Sequence, residues 1–118
     1  MRGIAPAVMA IAIASASAAA NAGDYAPLDC AKAKSAAERT ICRDYGLGQS
    51  EARMATLFAI ATSLVPMGQR GDIQDDQREW LQARDACGKN IACLQTSYAR
   101  RIEKLENVMA GIASRGPY

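Results

Sequence analysis

Between Met54 and Val65 the apolar residues Met54, Leu57, Phe58, Ala61, Leu64 and Val65 recur at intervals of three and four. That spacing lays one buried stripe along an α-helix and predicts a helix from about Ser50 to Leu64. Pro66, Gly68 and Gly71 then predict a break, with Val65–Gly71 as a protruding loop that carries Arg70. A third helix is expected from Asp72, a capping residue, with Asp75 and Asp76 in the first turn where the helix dipole favours negative charge. It turns Ile73, Trp80, Leu81 and Cys87 inward and stops at Gly88. Asn90 caps a fourth helix with Leu94, Tyr98, Ile102, Leu105, Met109 and Ile112 on one face. Upstream, Ser35 and Glu38 have the spacing of a capping box. They open a short first helix that runs to about Tyr45, places Ile41 and Cys42 inside, and ends at Gly46 or Gly48. The stretch Gly23–Lys34 has no period and contains Pro27, so it reads as an extended lead-in. No useful run alternates apolar with polar residues, and β-branched residues are sparse. The pattern therefore predicts an all-α fold, with three main helices in a small antiparallel bundle and a short N-terminal helix packed on its side.

The N-terminal pattern differs. Arg2, an apolar run from Ile4 to Ala14 and a small-residue end at Ala20-Asn21-Ala22 have the layout of a secretory signal peptide. The apolar run falls short of the roughly 20 residues a membrane-spanning helix needs. Residues 1–22 are thus expected to be cleaved near Ala22, leaving residues 23–118 as one exported domain, periplasmic or secreted. Such a chain buries only about two-thirds of its unfolded surface, so its core alone leaves it marginally stable. Its charge is nearly balanced, since removal of Arg2 from the 14 basic residues leaves 13 against 12 acidic ones. That balance offers no electrostatic reason for nucleic acid or an anionic membrane as a partner.

In an oxidising compartment the four cysteines, Cys30, Cys42, Cys87 and Cys93, read as a disulfide framework. Four cysteines allow three pairings. The local one, Cys30–Cys42 with Cys87–Cys93, is the best geometric expectation. Gly88-Lys89-Asn90 is a tight turn between helices, which brings Cys87 and Cys93 within bridging distance. Each closure is worth about 2–3 kcal/mol for loops of these lengths. A zinc site wants closer cysteine spacing and usually histidine, and the chain contains no histidine. A redox pair would show C-x-x-C, which is absent.

Asp29-Cys30-Ala31-Lys32-Ala33, Glu38, Ile41-Cys42, Gln77, Trp80-Leu81, Arg84-Asp85-Ala86-Cys87, Cys93-Leu94, Tyr98, Arg101-Ile102 and Leu105 together resemble the lysozyme inhibitor LprI-like N-terminal domain family. The resemblance runs from about Leu28 to Leu105, and the block Gln77–Cys87 is its most specific part. It implies a small exported bacterial protein with a helical, disulfide-bonded domain, and one member type acts as a protein inhibitor of lysozyme. This chain departs from the family where a leucine–aspartate pair usually opens the second helix, having Ser50-Glu51, and where a tyrosine usually follows, having Phe58.

Gln77, Trp80, Leu81 and Arg84 share one helix face. An aromatic with an arginine is a common interface anchor. The structural alternative, which is favoured, makes Trp80 part of the core and lets Gln77 and Arg84 satisfy buried carbonyls or pair with Glu51 or Asp29. An arginine on an apolar stripe needs a partner, and the resemblance implies an acidic residue on the second helix for that role. Tyr98 belongs to the same interior. Arg70, on its loop, is the candidate partner contact and could face the catalytic carboxylates of a lysozyme cleft. Asp72, Asp75, Asp76 and Glu79 lack the order of a calcium loop, so capping and dipole chemistry account for them. Arg100, Arg101 and Lys104, interleaved with Glu103 and Glu106, read as a solvated face. Without histidine, a serine or cysteine nucleophile lacks its usual base. The expectation is an exported, non-enzymatic helical binding protein, without cofactor or metal, that has a protein partner, for which the resemblance implies a lysozyme. The alternative is an envelope interaction or structural protein with another partner, and the sequence is silent on oligomeric state.

Overall fold

A computed structural model of the chain describes residues 25–115 and the isolated Gly3. Of the expected signal peptide, residues 1–22, all but Gly3 lie outside the described residues. The element order is a single 3-10 turn at Cys30–Lys32, then α1 (Ala36–Arg43), α2 (Tyr45–Leu64), α3 (Met67–Asp85) and α4 (Ile91–Ser114). Among the described residues there is no strand, and the fold is the expected all-α bundle.

The cap chemistry sets most boundaries. Ser35 Oγ accepts from the Glu38 N–H at 3.0 Å while Glu38 Oε1 accepts from the Ser35 N–H at 3.0 Å, so both arms of the capping box are present. Asn90 Oδ1 accepts from the Cys93 N–H at 3.0 Å and starts α4. Gly88, at φ 57°, occupies the left-handed conformation in the turn that follows α3.

Two boundaries depart from expectation. Helix α2 begins at Tyr45 and not near Ser50, because Asp44 is an N-cap whose carboxylate accepts from the Leu47 N–H at 2.8 Å. Gly46 and Gly48 are therefore inside the first turn of α2 and terminate nothing, while the buried Leu47 anchors that turn to the core. The second departure is larger. Val65 and Pro66 alone connect α2 to α3, and the expected loop through Gly71 is helix. Proline suits the entry to a helix, where its fixed φ is already right and its missing N–H costs no bond. Val65 is buried at the corner, and a Cβ at Gly68 or Gly71 would meet nothing within 4 Å, so both glycines simply ride on the open side of α3.

The two disulfides are Cys30–Cys42 and Cys87–Cys93, with Cα–Cα distances of 5.8 and 5.6 Å. The first ties the lead-in to α1 and the second closes the α3–α4 turn. Cross-helix pairs give the directions. Thr62 meets Arg70 and Glu51 meets Arg84, so α2 and α3 are antiparallel; Asp76 meets Lys104 and Trp80 meets Ser97, so α3 and α4 are antiparallel as well. Their shared core is made by Met54, Phe58 and Ala61 of α2, Ile73 of α3, and Leu94, Leu105 and Ile112 of α4. Ala37 and Ile41 add α1 to the same cluster. Burial of that apolar surface, at about 25 cal/mol per Å², drives the assembly.

Candidate functional site

Polar side chains interrupt this core on one side. Glu51 (α2), Gln77 and Arg84 (α3), Tyr98 and Arg101 (α4) are all buried. Groups of this kind cost free energy unless bonded, and they fall into two clusters.

In the first, Glu51 Oε1 accepts from Arg84 Nη1 at 3.5 Å and from the Tyr98 hydroxyl at 3.3 Å. Arg84 makes its shorter bonds to the neighbouring carboxylate, Nε and Nη2 donating to Asp85 Oδ1 at 3.0 and 2.9 Å. Its guanidinium also lies 5.6 Å from the Trp80 ring centroid. Trp80 in turn meets Tyr98 edge-on, with centroids 5.1 Å apart, and donates its indole N–H to the Ser97 carbonyl at 3.1 Å. Burial pushes the Glu51 carboxyl above its ordinary range; Arg84, Tyr98 and the Leu28 backbone oppose that shift without cancelling it. Burial, followed by the Glu51 charge, likewise raises the Tyr98 phenol. For Arg84 burial alone would lower the pKa, but the Tyr98, Asp85 and Glu51 oxygens outweigh it and the net shift is upward. Glu51 Oε2, the second oxygen of the same carboxylate, is buried and has no hydrogen-bond partner.

In the second cluster the acceptor is neutral. Gln77 Oε1 accepts from Arg101 Nε at 2.8 Å, and the Ile73 carbonyl accepts from Arg101 Nη2 at 3.4 Å. The Gln77 amide donates to the Tyr25 carbonyl at 2.9 Å and touches the Met54 sulfur at 3.2 Å. Gln77 thereby pins the lead-in to the bundle. Tyr25 adds its ring, stacked at 5.7 Å on Phe58 and 4.9 Å from the Arg78 guanidinium. Burial lowers the Arg101 pKa, with Asp76 opposing.

Of the residues singled out in the sequence, Glu51, Arg84, Tyr98 and Trp80 meet, and Gln77 forms the neighbouring cluster. Asp29 is not Arg84's partner: its carboxylate accepts from the Ala31 N–H at the 3-10 turn. Arg70 stands apart, half-buried on the first turn of α3. Its Nε donates to the Thr62 carbonyl at 2.7 Å, where a cation suits the C-terminal end of α2. The reading of Arg101 as part of a solvated face is corrected, since only 3 % of it is exposed. The signal for this was present: Leu94, Tyr98, Arg101, Leu105 and Ile112 keep helical spacing, and Arg101 occupies a stripe position between Tyr98 and Leu105. Tyr25, in an aperiodic segment, carried no such signal.

Two hollows flank Glu51. An open groove of about 530 Å³ runs beside the first disulfide, lined by Leu28, Ile41, Arg43, Tyr45 and Gln49 among others; Tyr45 is 83 % exposed. A smaller cavity of about 180 Å³ lies under the lead-in, against α1 and α3. In the acidic stretch of α3, Asp75 pairs with Arg78 at 2.6 Å and Asp76 with Lys104 at 2.7 Å. Among the described residues no group of three or more acidic or cysteine side chains is gathered as metal ligands would be, and no helix is long and apolar enough to cross a membrane. Comparison of the chain with protein-family models, with curated proteins and with solved structures finds no match.

Proposed function

We propose that this chain is an exported, non-enzymatic binding protein that resembles lysozyme inhibitors and occludes a muramidase. The observation that carries the reading is the Gln77–Cys87 block together with both cysteine spacings, the most specific part of the resemblance. Gln77 and Arg84 of that block face inward and bond to Arg101 of α4 and Glu51 of α2, as a scaffold requires of them. Recognition then falls to the surface. Arg70, engaged with the end of α2, is less available than a loop residue would be. The groove beside the first disulfide, with the exposed Tyr45 next to Arg43, has the aromatic and basic side chains that interfaces favour.

The test is muramidase activity of c-type, g-type and i-type lysozymes, each titrated with the oxidised protein. Stoichiometric inhibition of one class is expected, weakened about tenfold or more by Tyr45→Ala if that ring is an anchor. Full residual activity of all three classes at micromolar excess would overturn the inhibitor reading and leave an envelope protein with a different partner.

A further inference from the structure

The end of the bundle where α2 turns into α3 is free of charge. Helix α2 ends there, α3 starts there, and α4, parallel to α2, ends there too. It is built by residues 54–69 and 107–114, and neither segment contains a charged residue, in a chain of which 22 % is charged. Met67, at the corner, is 84 % exposed, and Ile60 and Leu64 are exposed on the last turns of α2. Thr56, Thr62, Ser63 and Ser114 are the hydroxyl side chains of the two segments, and each donates to a carbonyl of its own helix at 2.7–2.9 Å. Such back-bonding satisfies a hydroxyl within its own helix and leaves the tip with little polarity to offer.

The lead-in shows from which side the chain arrives. Tyr25 stacks on Phe58, the Leu28 backbone faces Glu51, and Cys30 reaches Cys42 ahead of α2. The chain thus runs down α2 from its second half toward its start, and it enters from the side of the uncharged tip. Phe58 and Leu64 are six residues apart, about 9 Å of helix. Residues 15–24 separate the apolar run Ile4–Ala14 from Tyr25, and ten residues reach about 33–36 Å when extended. When that run enters a bilayer, as the proposed export has it, the tip is the part of the bundle nearest the membrane. The orientation follows from the proposed export; the composition of the tip is independent of it.

We propose that the tip formed by Ile60, Leu64 and Met67 inserts into the headgroup layer of a lipid bilayer and stands the bundle on the membrane surface. The contact is apolar and does not call on net charge. A second copy or a protein partner fits less well. Three side chains at a helix corner fall far short of the roughly 800 Å² per partner that a stable interface buries. Protein interfaces also carry about one hydrogen bond per 100–200 Å², and the hydroxyls of the tip are already engaged. A bilayer asks for neither. Insertion is shallow, because the first turn of α3 has no side-chain cap and its N–H groups need the phosphate and ester oxygens of the headgroups. A contact of this size is reversible, comparable to a single acyl chain or weaker. The groove with Tyr45 lies at the opposite end and stays open to a soluble partner. This inference stands independently of muramidase inhibition.

The probe is phosphatidylcholine vesicles. Residues 23–118 serve as the oxidised protein, since they hold the whole core and leave out the apolar run, which would bind lipid by itself. Co-sedimentation is expected to saturate with lipid and to be unchanged by added salt. Met67→Asp and Leu64→Asp should each weaken it about tenfold or more, as loss of one buried apolar side chain does. Ile91→Asp, an exposed apolar position at the opposite end, should leave it unchanged. Met67→Trp gives a readout that needs no loss of binding: above the Trp80 background, its emission should move to the blue on vesicles and be quenched by lipids brominated near the headgroup. Absence of co-sedimentation, equal weakening by Ile91→Asp, or unquenched emission from Met67→Trp would each overturn membrane docking. Dimerisation that Met67→Asp abolishes, without vesicle binding, would overturn it in favour of a second copy.

Discussion

Two arginines lie buried in this bundle, each almost fully removed from water, and their surroundings differ in kind. Arg84 is set among carboxylates, Glu51 from across the α2–α3 interface and Asp85 from its own helix. Arg101 has only dipoles within bonding distance, the Gln77 amide and the Ile73 carbonyl. The pKa of the first is raised and that of the second lowered. Opposed charge outweighs desolvation at Arg84, whereas at Arg101 neutral acceptors and the more distant Asp76 do not. The two sites thus provide, within one small core, a comparison of a cation held by charge with a cation held by hydrogen bonds.

Breaking the charged site should cost most. Arg84→Leu leaves Glu51 buried with Tyr98 as its remaining side-chain donor, and loss of one member of a buried pair typically costs about 3–5 kcal/mol. Urea denaturation should show it as a fall in midpoint at unchanged slope. A loss below about 1 kcal/mol would mean that Glu51 sheds its charge at no cost when Arg84 goes. At the neutral site, Gln77→Leu removes the acceptor of Arg101 and the donor to Tyr25, for an expected loss of about 1–3 kcal/mol. The same substitution should speed amide exchange around Tyr25, because it also unpins the lead-in.

Proton uptake sharpens the contrast further, with a smaller effect. Glu51 has a folded pKa above its ordinary value near 4.5, so the folded state holds its proton more tightly than the unfolded state does. Its contribution to stability is neutral below that value, becomes unfavourable as pH rises through the window up to the folded pKa, and stays so above it. Glu38 has the opposite sign: its support is present above 4.5 and is lost as pH falls through its lowered pKa. Relative to Glu51→Gln, the wild-type protein should therefore gain stability as pH falls from 7 to 4.5, and nothing further below. Urea midpoints of both proteins along that range measure it. A constant difference would place Glu51 outside the titrating groups.

The charged site was half legible in the sequence. An arginine between Leu81 and Cys87 on a buried face demands a partner, and Glu51 on the preceding helix was one of the two candidates. The neutral site was not, because a run of Arg100, Arg101 and Lys104 resembles a solvated surface unless each residue is placed on the helical stripe. Caps were legible wherever a side chain acts locally, as at Ser35 and Asn90. The tight Val65–Pro66 corner was not legible, since glycines predict a loop only when no tertiary contact resists it. Here Val65 is buried and α3 packs on its neighbours from its first turns. The orphan Glu51 oxygen depends on three elements converging and leaves no local trace.

Both covalent links lie at one end of the bundle. Cys42 precedes α2, Cys87 follows α3 and Cys93 begins α4, so with α2 and α3 antiparallel the bridges gather around the carboxylate-rich end. The far end, where α2 turns into α3, depends on Val65, the Arg70–Thr62 bond and noncovalent packing. A chain clamped at one end only opens like a hinged clip. Deuterium should enter first around the Val65–Pro66 corner and last near Cys87, in a gradient along the bundle axis. A protease admitted by such partial opening would cut at the corner while the clamped end, and the hollows beside it, kept their shape.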